Sequence, residues 1–204
     1  MPDPYWNHNV HYQRLVLSLI PHGSARALDV GCGDGLLAGK LAARVPDVTG
    51  VDRSAQAIAL ARSRHGDRPG LTFAEADYLD PAALPESGYD FVSAVAVVHH
   101  AEFGAAVGAL RRLLAPGGRL VVVGHARNRS LLDWVISGTA QVVTRVHQLR
   151  HGPKSGPPVP VMAPVMAPVM AWAEVGRAAR RLLPGCRFRR LLLRRYLIVW
   201  DASR

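Results

Sequence analysis

Cysteine is scarce in this chain, and long apolar runs do not occur. Only two of the 204 residues are cysteine, and their positions match no metal-ligand spacing. We therefore expect no cysteine-bound metal, no structural disulfide and a reducing environment. Apolar residues make up 49% of the chain, but no run reaches the length of a membrane span. Its first residues have no basic stretch followed by an apolar core, so we expect no secretory signal and a cytoplasmic location.

Acidic residues are scarce in the C-terminal part. Residues 1–125 contain 11 basic and 12 acidic residues, whereas residues 126–204 contain 14 basic and 3 acidic ones, which gives this part a charge of +11. Such an excess is typical of a surface that binds nucleic acid or another polyanion. However, 23 of the 25 basic residues are arginine, a bias that a GC-rich genome produces without any binding role. Both interpretations stay open.

Glycine is concentrated in one place. Residues 27–35 read Ala-Leu-Asp-Val-Gly-Cys-Gly-Asp-Gly, and a helical pattern follows directly. Glycines permit a tight turn in which a ligand lies against bare backbone, with the free N–H groups of the next helix facing it. The spacing G-x-G-x-G differs from the dinucleotide fingerprint G-x-G-x-x-G. With Asp29 two residues before the first glycine, it resembles motif I of the class I S-adenosylmethionine-dependent methyltransferases.

The order of the other elements is similar to that family from about Ala27 to Gly124. The segments that favour strands are 26–30, 48–52, 71–75, 89–98, 119–124, 188–193 and 196–200. The segments that favour helices are 12–20, 36–46, 54–65, 103–114 and 172–183. A Pro-Gly-Gly turn at 116–118 is expected to cap a helix. The resemblance implies an α/β, doubly wound, seven-stranded mostly parallel sheet with an antiparallel last strand, the Rossmann-like methyltransferase fold, in a single domain.

Four parts are expected within that single domain of residues 1–204. They are an N-terminal lid helix (1–22), a cofactor-binding core (26–125), a substrate-wall insertion with a Pro/Met-rich loop (126–171), and a last helix with edge strands (172–204). Ser130 can cap a long helix in the insertion. The motif Pro-Val-Met-Ala then repeats three times over 160–171, where a proline every fourth residue excludes a helix. This strip is either a substrate lid or a tolerated duplication.

The resemblance implies S-adenosyl-L-methionine as the cofactor. Asp52 ends the second strand about twenty residues beyond the first glycine, where a carboxylate can accept both ribose hydroxyls of a nucleoside. Asp77 matches the family's acceptor for the adenine amino group, and Tyr78 matches the residue that packs on the ring. The cofactor-binding residues expected in this way are Asp29, Gly31, Cys32, Gly33, Gly35, Asp52, Arg53, Ala76, Asp77, Tyr78, Val95 and Tyr12.

Two histidines are the candidate catalytic residues. His99 and His100 follow the fourth strand, at the end where α/β folds bind ligands. Many small-molecule methyltransferases of the family carry a similar pair. We expect a place in the pocket wall rather than acid–base catalysis, because positioning alone can drive methyl transfer. His8 and His11 are expected to precede the N-terminal helix, in a segment with Trp6 that either closes the site or caps the core.

Several methyltransferase subclasses do not fit. The fourth strand ends Ala94-Val95-Ala96-Val97, without the Asn/Asp-Pro-Pro-aromatic motif of enzymes that methylate exocyclic amines. The same strand holds no cysteine for attack on a pyrimidine, and no acidic pair follows it to hold a metal. We therefore expect methyl transfer to an O, N, S or C nucleophile of a small molecule, of the kind found in specialised metabolism, and no membrane partner.

Two alternatives belong to other classes. The chain could be an RNA or other nucleic-acid methyltransferase that uses its arginine-rich C-terminal part, with a steep salt dependence of binding. It could also be a non-catalytic partner protein that keeps the fold and docks through the repeat. The sequence states neither the substrate nor the oligomeric state.

Overall fold

The structure is a computed structural model that describes residue 5 and residues 7–84, 86–129, 170–192 and 194–203. The helix expected after Ser130 and the Pro-Val-Met-Ala strip lie almost entirely outside these residues. Across the described part of the chain, no helix combines the length and the apolar character that crossing a membrane requires.

Helices and strands alternate from residue 8 to residue 75. The helices are α1 (His8–Leu17), α2 (Leu36–Leu41), α3 (Ala55–His65), α4 (Phe103–Arg112) and α5 (Trp172–Leu182), with one 3₁₀ turn at Val98–His100. The strands are β1 (Arg26–Val30), β2 (Asp47–Asp52), β3 (Leu71–Glu75), β4 (Tyr89–Val95), β5 (Leu114–His125), β6 (Arg187–Arg190) and β7 (Arg195–Asp201).

The seven strands found among the described residues form one sheet in the order β3-β2-β1-β4-β5-β7-β6. Strands β1 to β5 pair in parallel, and β7 runs antiparallel to both β5 and β6. The expected fold is therefore confirmed. Because β1 pairs with β2 on one side and β4 on the other, the strand order reverses there, and α/β sheets bind ligands at the carboxyl edge of such a switch point.

Apolar layers cover both faces of the sheet. On one face α4 and α5 pack against the strands, and on the other α1, α2 and α3 do so. Strand β4 faces both layers, and its Phe91, Val92 and Ala94 side chains are fully buried. This is why its sequence is almost continuously apolar rather than alternating.

The N-terminal helix begins earlier than expected. The side chain of Asn7 accepts hydrogen bonds from the backbone N–H groups of Asn9 and Val10, which makes it the N-cap of α1. His8 and His11 therefore lie within the helix, and their expected place before it was wrong. Tyr12, expected near the start of the helix, lies in its second turn.

Two element ends also differ from expectation. Strand β4 stops at Val95 because Ala96 has a φ of 60°, which an extended strand does not tolerate. Helix α4 ends with Leu113 as a right-handed C-cap, so the expected glycine cap was wrong. Gly117 and Gly118 instead belong to β5, whose pairing with β4 shifts register near Tyr89.

Candidate active site

A cavity of about 570 Å³ opens at the carboxyl edge of β1, β2 and β4. Its walls are the glycine turn after β1, the residues that end β2 and β4, the loop after β3 and one side of α1. The volume lies within the range of pockets that hold cofactors and small ligands. The sheet's switch point therefore holds the candidate site.

The glycine turn needs its three glycines for different reasons. Gly31, Gly33 and Gly35 have φ values of +67°, +55° and +77°, a region that other residues rarely adopt. A Cβ on Gly31 would collide with Val97, and one on Gly35 would lie 2.8 Å from the Phe73 ring. A Cβ on Gly33 would meet nothing within 4 Å, so the backbone of Gly33 faces the open cavity.

The carboxylate of Asp52 connects this turn to the next helix. Its Oδ2 accepts the Gly33 N–H at 3.0 Å, and its Oδ1 accepts the Ser54 N–H at 2.9 Å. Ser54 in turn caps α3 by accepting the Ala57 N–H. Asp52 thus lies at the cavity wall in a fixed orientation, with lone pairs left for a ligand's hydroxyl groups.

Asp29 is the most deeply buried acid of the site. Its side chain is 2% exposed, and the Ser93 hydroxyl donates to its Oδ1 at 2.7 Å. Burial raises the pKa of Asp29 to about 7, against which the Ser93 hydrogen bond acts. The carboxyl group therefore exchanges its proton near neutral pH, whereas in the unfolded chain it would do so near 3.8.

The raised pKa of Asp29 predicts a pH-dependent stability. Between pH 3.8 and about 7 the folded chain holds a proton that the unfolded chain has lost, so this group makes stability fall as pH rises through that window. The Asp29→Asn variant should lack this contribution, which is at most about 1.4 kcal/mol per pH unit. Urea unfolding at several pH values, compared with an Asp67→Asn variant at an exposed bend, measures it. Parallel stability curves for wild type and Asp29→Asn would contradict the prediction.

The N-terminal segment covers one side of the cavity. The Tyr5 hydroxyl donates to Asp34 Oδ2 at 2.6 Å, and Arg64 forms an ion pair with the same carboxylate. The Arg64 guanidinium also lies 5.6 Å from the centre of the Tyr5 ring. From α1, Asn9 and Gln13 contribute further wall. Asp34 and Arg64 were missed from the sequence, because they lie 30 residues apart and follow no shared pattern.

At the other end of the cavity lies the loop after β3. Ala76 and Tyr78 line the cavity, and burial raises the pKa of the Tyr78 hydroxyl to about 12. Asp77 does not line it. Its Oδ1 accepts the Leu79 N–H at 3.0 Å, and its Oδ2 lies 3.8 Å from Arg53. An adenine contact by Asp77 would therefore require this side chain to turn.

The structure brings most of the expected cofactor residues together. Those that line the cavity are Asp29, Gly31, Cys32, Gly33, Asp52, Arg53, Ala76, Tyr78 and Val95. Gly35 shapes the turn behind the wall. Tyr12 lies in the core beside Val16, and its hydroxyl donates to the Leu192 carbonyl at 2.7 Å. The expectation that Tyr12 reaches the cofactor is thus not met, because packing and this hydrogen bond hold it in the interior.

The two candidate catalytic histidines occupy different places. His100 lines the cavity, whereas His99 lies behind it, with its ring centroid 4.1 Å from that of His100 and 4.8 Å from that of His125. Burial, with the neighbouring His100, lowers the pKa of His99 to about 4. A pKa near 4 makes His99 a weak base, and it lies outside the cavity wall, so it does not suit general-base catalysis near neutral pH.

Comparison with known proteins gives consistent results. Residues 28–122 match the family model described as Methyltransferase domain. An uncharacterized methyltransferase of Mycobacterium tuberculosis is 38% identical over 207 residues, covering 98% of both chains. The ubiquinone biosynthesis O-methyltransferase of Xylella fastidiosa is 35% identical over 130 residues, which is 61% of this chain and 51% of that one.

Solved structures share the fold at lower identity. The crystal structure of the N-methyltransferase NodS from Bradyrhizobium japonicum, in complex with S-adenosyl-L-homocysteine, is 18% identical, with a TM-score of 0.64. The similarity covers 97% of this chain and 89% of that one.

The residues of the cavity fit S-adenosylmethionine. The open space over Gly33 leaves room for a ligand against the turn, and the Asp52 carboxylate faces the same cavity, where ribose hydroxyls can donate to it. Together with the relative that matches over almost the whole chain, these features define the family. The chain belongs to the class I S-adenosylmethionine-dependent methyltransferases.

Proposed function

We propose that this enzyme transfers a methyl group to an O, N, S or C nucleophile of a small organic molecule. The observation that carries the proposal is that α1 and the Tyr5–Asp34–Arg64 contact cover one side of the cavity. A site that Tyr5 and α1 cover on one side suits a ligand that fits inside the cavity. A folded macromolecule would need an open face beside the methyl donor.

The residues of the chain have separate parts in this proposal. S-adenosylmethionine supplies a methyl group that is already activated for in-line displacement. The Gly33 backbone and the Asp52 carboxylate hold and orient it, and Tyr5 and α1 shield one side of it from water. His100 lies in the wall beside Ala101, where we place the acceptor. Alignment of the two reactants then accounts for most of the catalysis.

The arginine-rich surface gives little support to the nucleic-acid alternative. Of the nine exposed arginines that the structure describes beyond residue 125, six lie on α5 and β6, and β6 is the outermost strand on the side away from β2 and β3. Two of them are engaged within the fold, since Arg190 lies 4.8 Å from the Trp172 ring centre and Arg180 lies 6.0 Å from that of Phe188. Relatives named for ubiquinone biosynthesis and for nodulation also favour small acceptors.

A transfer assay tests the proposal. The purified protein is incubated with S-adenosylmethionine labelled in its methyl group and, in parallel, with a cellular small-molecule extract, total RNA, DNA or protein. We expect label in the small-molecule fraction alone. Label in RNA or DNA, lost steeply as salt is raised, would replace the proposal with the nucleic-acid function. Cofactor binding without transfer to any fraction would indicate the non-catalytic partner.

Replacing His100 tests its part in the reaction. We expect His100→Ala to lower kcat less than about tenfold, because a wall residue contributes less than the factor of 100 or more typical of a general base. The affinity for S-adenosylhomocysteine should be kept. His22→Ala removes an exposed imidazole that is distant from His100 in the sequence, and it serves as the matched control. A loss of two orders of magnitude in kcat with unchanged cofactor affinity would make His100 the base.

A further inference from the structure

A buried cation lies behind the part of the cavity wall that Asn9 forms, and the described residues give it no acidic partner. Arg195, the first residue of β7, is only 4% exposed. One terminal nitrogen contacts the His125 ring and the other donates to Asn9 Oδ1 at 2.7 Å, while its Nε has no hydrogen-bond partner. Among the described residues no carboxylate pairs with it.

Such an arrangement is costly for the protein alone. Removing a guanidinium from water costs free energy that a facing anion normally restores. The neighbours of Arg195 do not supply one, because burial lowers the pKa of His125 to about 3 and that of His99 to about 4, which leaves both uncharged. Tyr12 donates its hydroxyl proton to Leu192 and stays neutral, since burial raises its pKa to about 12.

A second unpaired group lies in the same cluster, which consists of Arg195, His125 and His99. His99 Nδ1 is buried without a hydrogen-bond partner, and the His99 ring shares His125 as a neighbour with Arg195. Buried polar groups in proteins are almost always satisfied. The Arg195 Nε can only donate, so it lacks an acceptor of hydrogen bonds, and His99 Nδ1 can donate to the same acceptor in the tautomer that carries its proton there.

The cluster adjoins the cofactor pocket at two points. Asn9, which accepts from Arg195, lines the cavity, and so does His100, whose ring lies against His99. Arg195 pairs in register with His125 at the carboxyl end of β5. The cluster thus lies at the same edge of the sheet as the methyl donor's site, on the β5 side of β4, whereas Asp52 and Tyr78 lie on the β2 side.

From these observations we infer that the methyl acceptor carries a carboxylate group that binds Arg195. The inference rests on the proposed function, for which it names the substrate class. The planar guanidinium fork matches the two oxygens of a carboxylate. The imidazoles beside Arg195 are uncharged and the adjacent Arg194 adds positive charge, so the negative charge of a carboxylate is favoured here, and the apolar part of the acceptor would extend towards His100.

Nuclear magnetic resonance on the wild-type protein tests the inference directly. Because the cofactor has its own carboxylate, the protein is first saturated with S-adenosylhomocysteine. The probes are acetate, hexanoate and benzoate, each compared with its neutral amide, and the signal is the Arg195 Nε–H resonance, assigned with an Arg195→Lys variant. We expect the acids to shift it and the amides not to. No shift up to the solubility limit of all three acids would overturn the inference.

Calorimetry on variants gives a second measure. Hexanoate should bind about tenfold or more tightly than hexanamide, as expected for a charge-assisted hydrogen bond. Arg195→Met should abolish this preference while S-adenosylhomocysteine still binds. Arg189→Met removes an exposed arginine from β6 and should keep the preference for hexanoate over hexanamide. Equal binding of acid and amide by wild type, or a preference that survives in Arg195→Met, would overturn the inference. If Arg195→Met fails to fold, the wild-type titration decides.

The two proposals can fail separately. Methyl transfer to neutral small molecules, with no response of Arg195 to any carboxylate, would keep the proposed function and overturn this inference. A clear carboxylate response, with label transferred only to RNA or DNA, would overturn the proposed function while leaving an anion site at Arg195.

Discussion

Replacement of Asp52 by alanine should weaken S-adenosylhomocysteine binding by about 1.5–3 kcal/mol, or roughly 10- to 150-fold in Kd. The ribose hydroxyls would lose a charged acceptor at the cavity wall. The same change would release the N–H groups of Gly33 and Ser54, which Asp52 holds at 3.0 and 2.9 Å. Both effects act in the same direction, and titration calorimetry measures their sum.

Two further variants separate these effects. Asp52→Asn keeps one side-chain oxygen but loses the charge, so we expect an intermediate loss of affinity. Asp80→Ala removes an exposed carboxylate that accepts the Ala82 N–H at 2.9 Å in a similar local turn, and we expect unchanged binding. If Asp52→Ala bound the ligand as tightly as Asp80→Ala, Asp52 would have no part in the cofactor site.

Adding a single methyl group at Gly33 should also reduce cofactor affinity, by about tenfold or more, because the backbone must approach its ligand closely there. Gly33 has a φ of +55°, and no protein atom lies within 4 Å of the position a Cβ would take. Because Gly33 lines the cavity, we expect the added carbon of Gly33→Ala to lie where the cofactor approaches the turn. The left-handed backbone adds about 1–2 kcal/mol of destabilisation.

Gly23 provides the matched control for this substitution. It too has a positive φ, of +80°, and a Cβ added there would meet nothing within 4 Å, but it lies exposed before β1. Gly23→Ala should lose similar stability in urea unfolding and bind S-adenosylhomocysteine normally. Equal affinities in the two alanine variants would show that the Gly33 backbone does not touch the cofactor.

Local patterns predicted the core of the fold well. Strands β1 and β3 begin and end where the sequence predicts, since apolar residues bounded by turn signals define them. The glycine turn and Asp52 were also found, because their spacing along the chain reflects one strand–turn–helix–strand unit. The end of β4 was not predicted, because an alanine in the sequence does not indicate the positive φ that Ala96 adopts.

Contacts between distant segments account for what the sequence did not reveal. Arg195 lies 186 residues from Asn9 and 70 from His125, and it is one of 14 basic residues in a stretch whose charge suggests only a surface. Its burial depends on β7 running antiparallel to β5, which brings the first residue of β7 to the ligand edge. The burial of Tyr12 in the core likewise depends on a distant residue, since its hydroxyl donates to the Leu192 carbonyl.

The strand order also bears on how such an enzyme can diverge. Asp52 ends β2, and Arg195 begins β7, with β1, β4 and β5 between them. At about 4.8 Å between neighbouring strands, the two side chains belong to regions too far apart to share a partner, and the free-energy effects of changing both should add. Selection can therefore alter one region residue by residue while the other is inherited intact. A common methyl-donor site with divergent acceptors is the pattern that such independence allows.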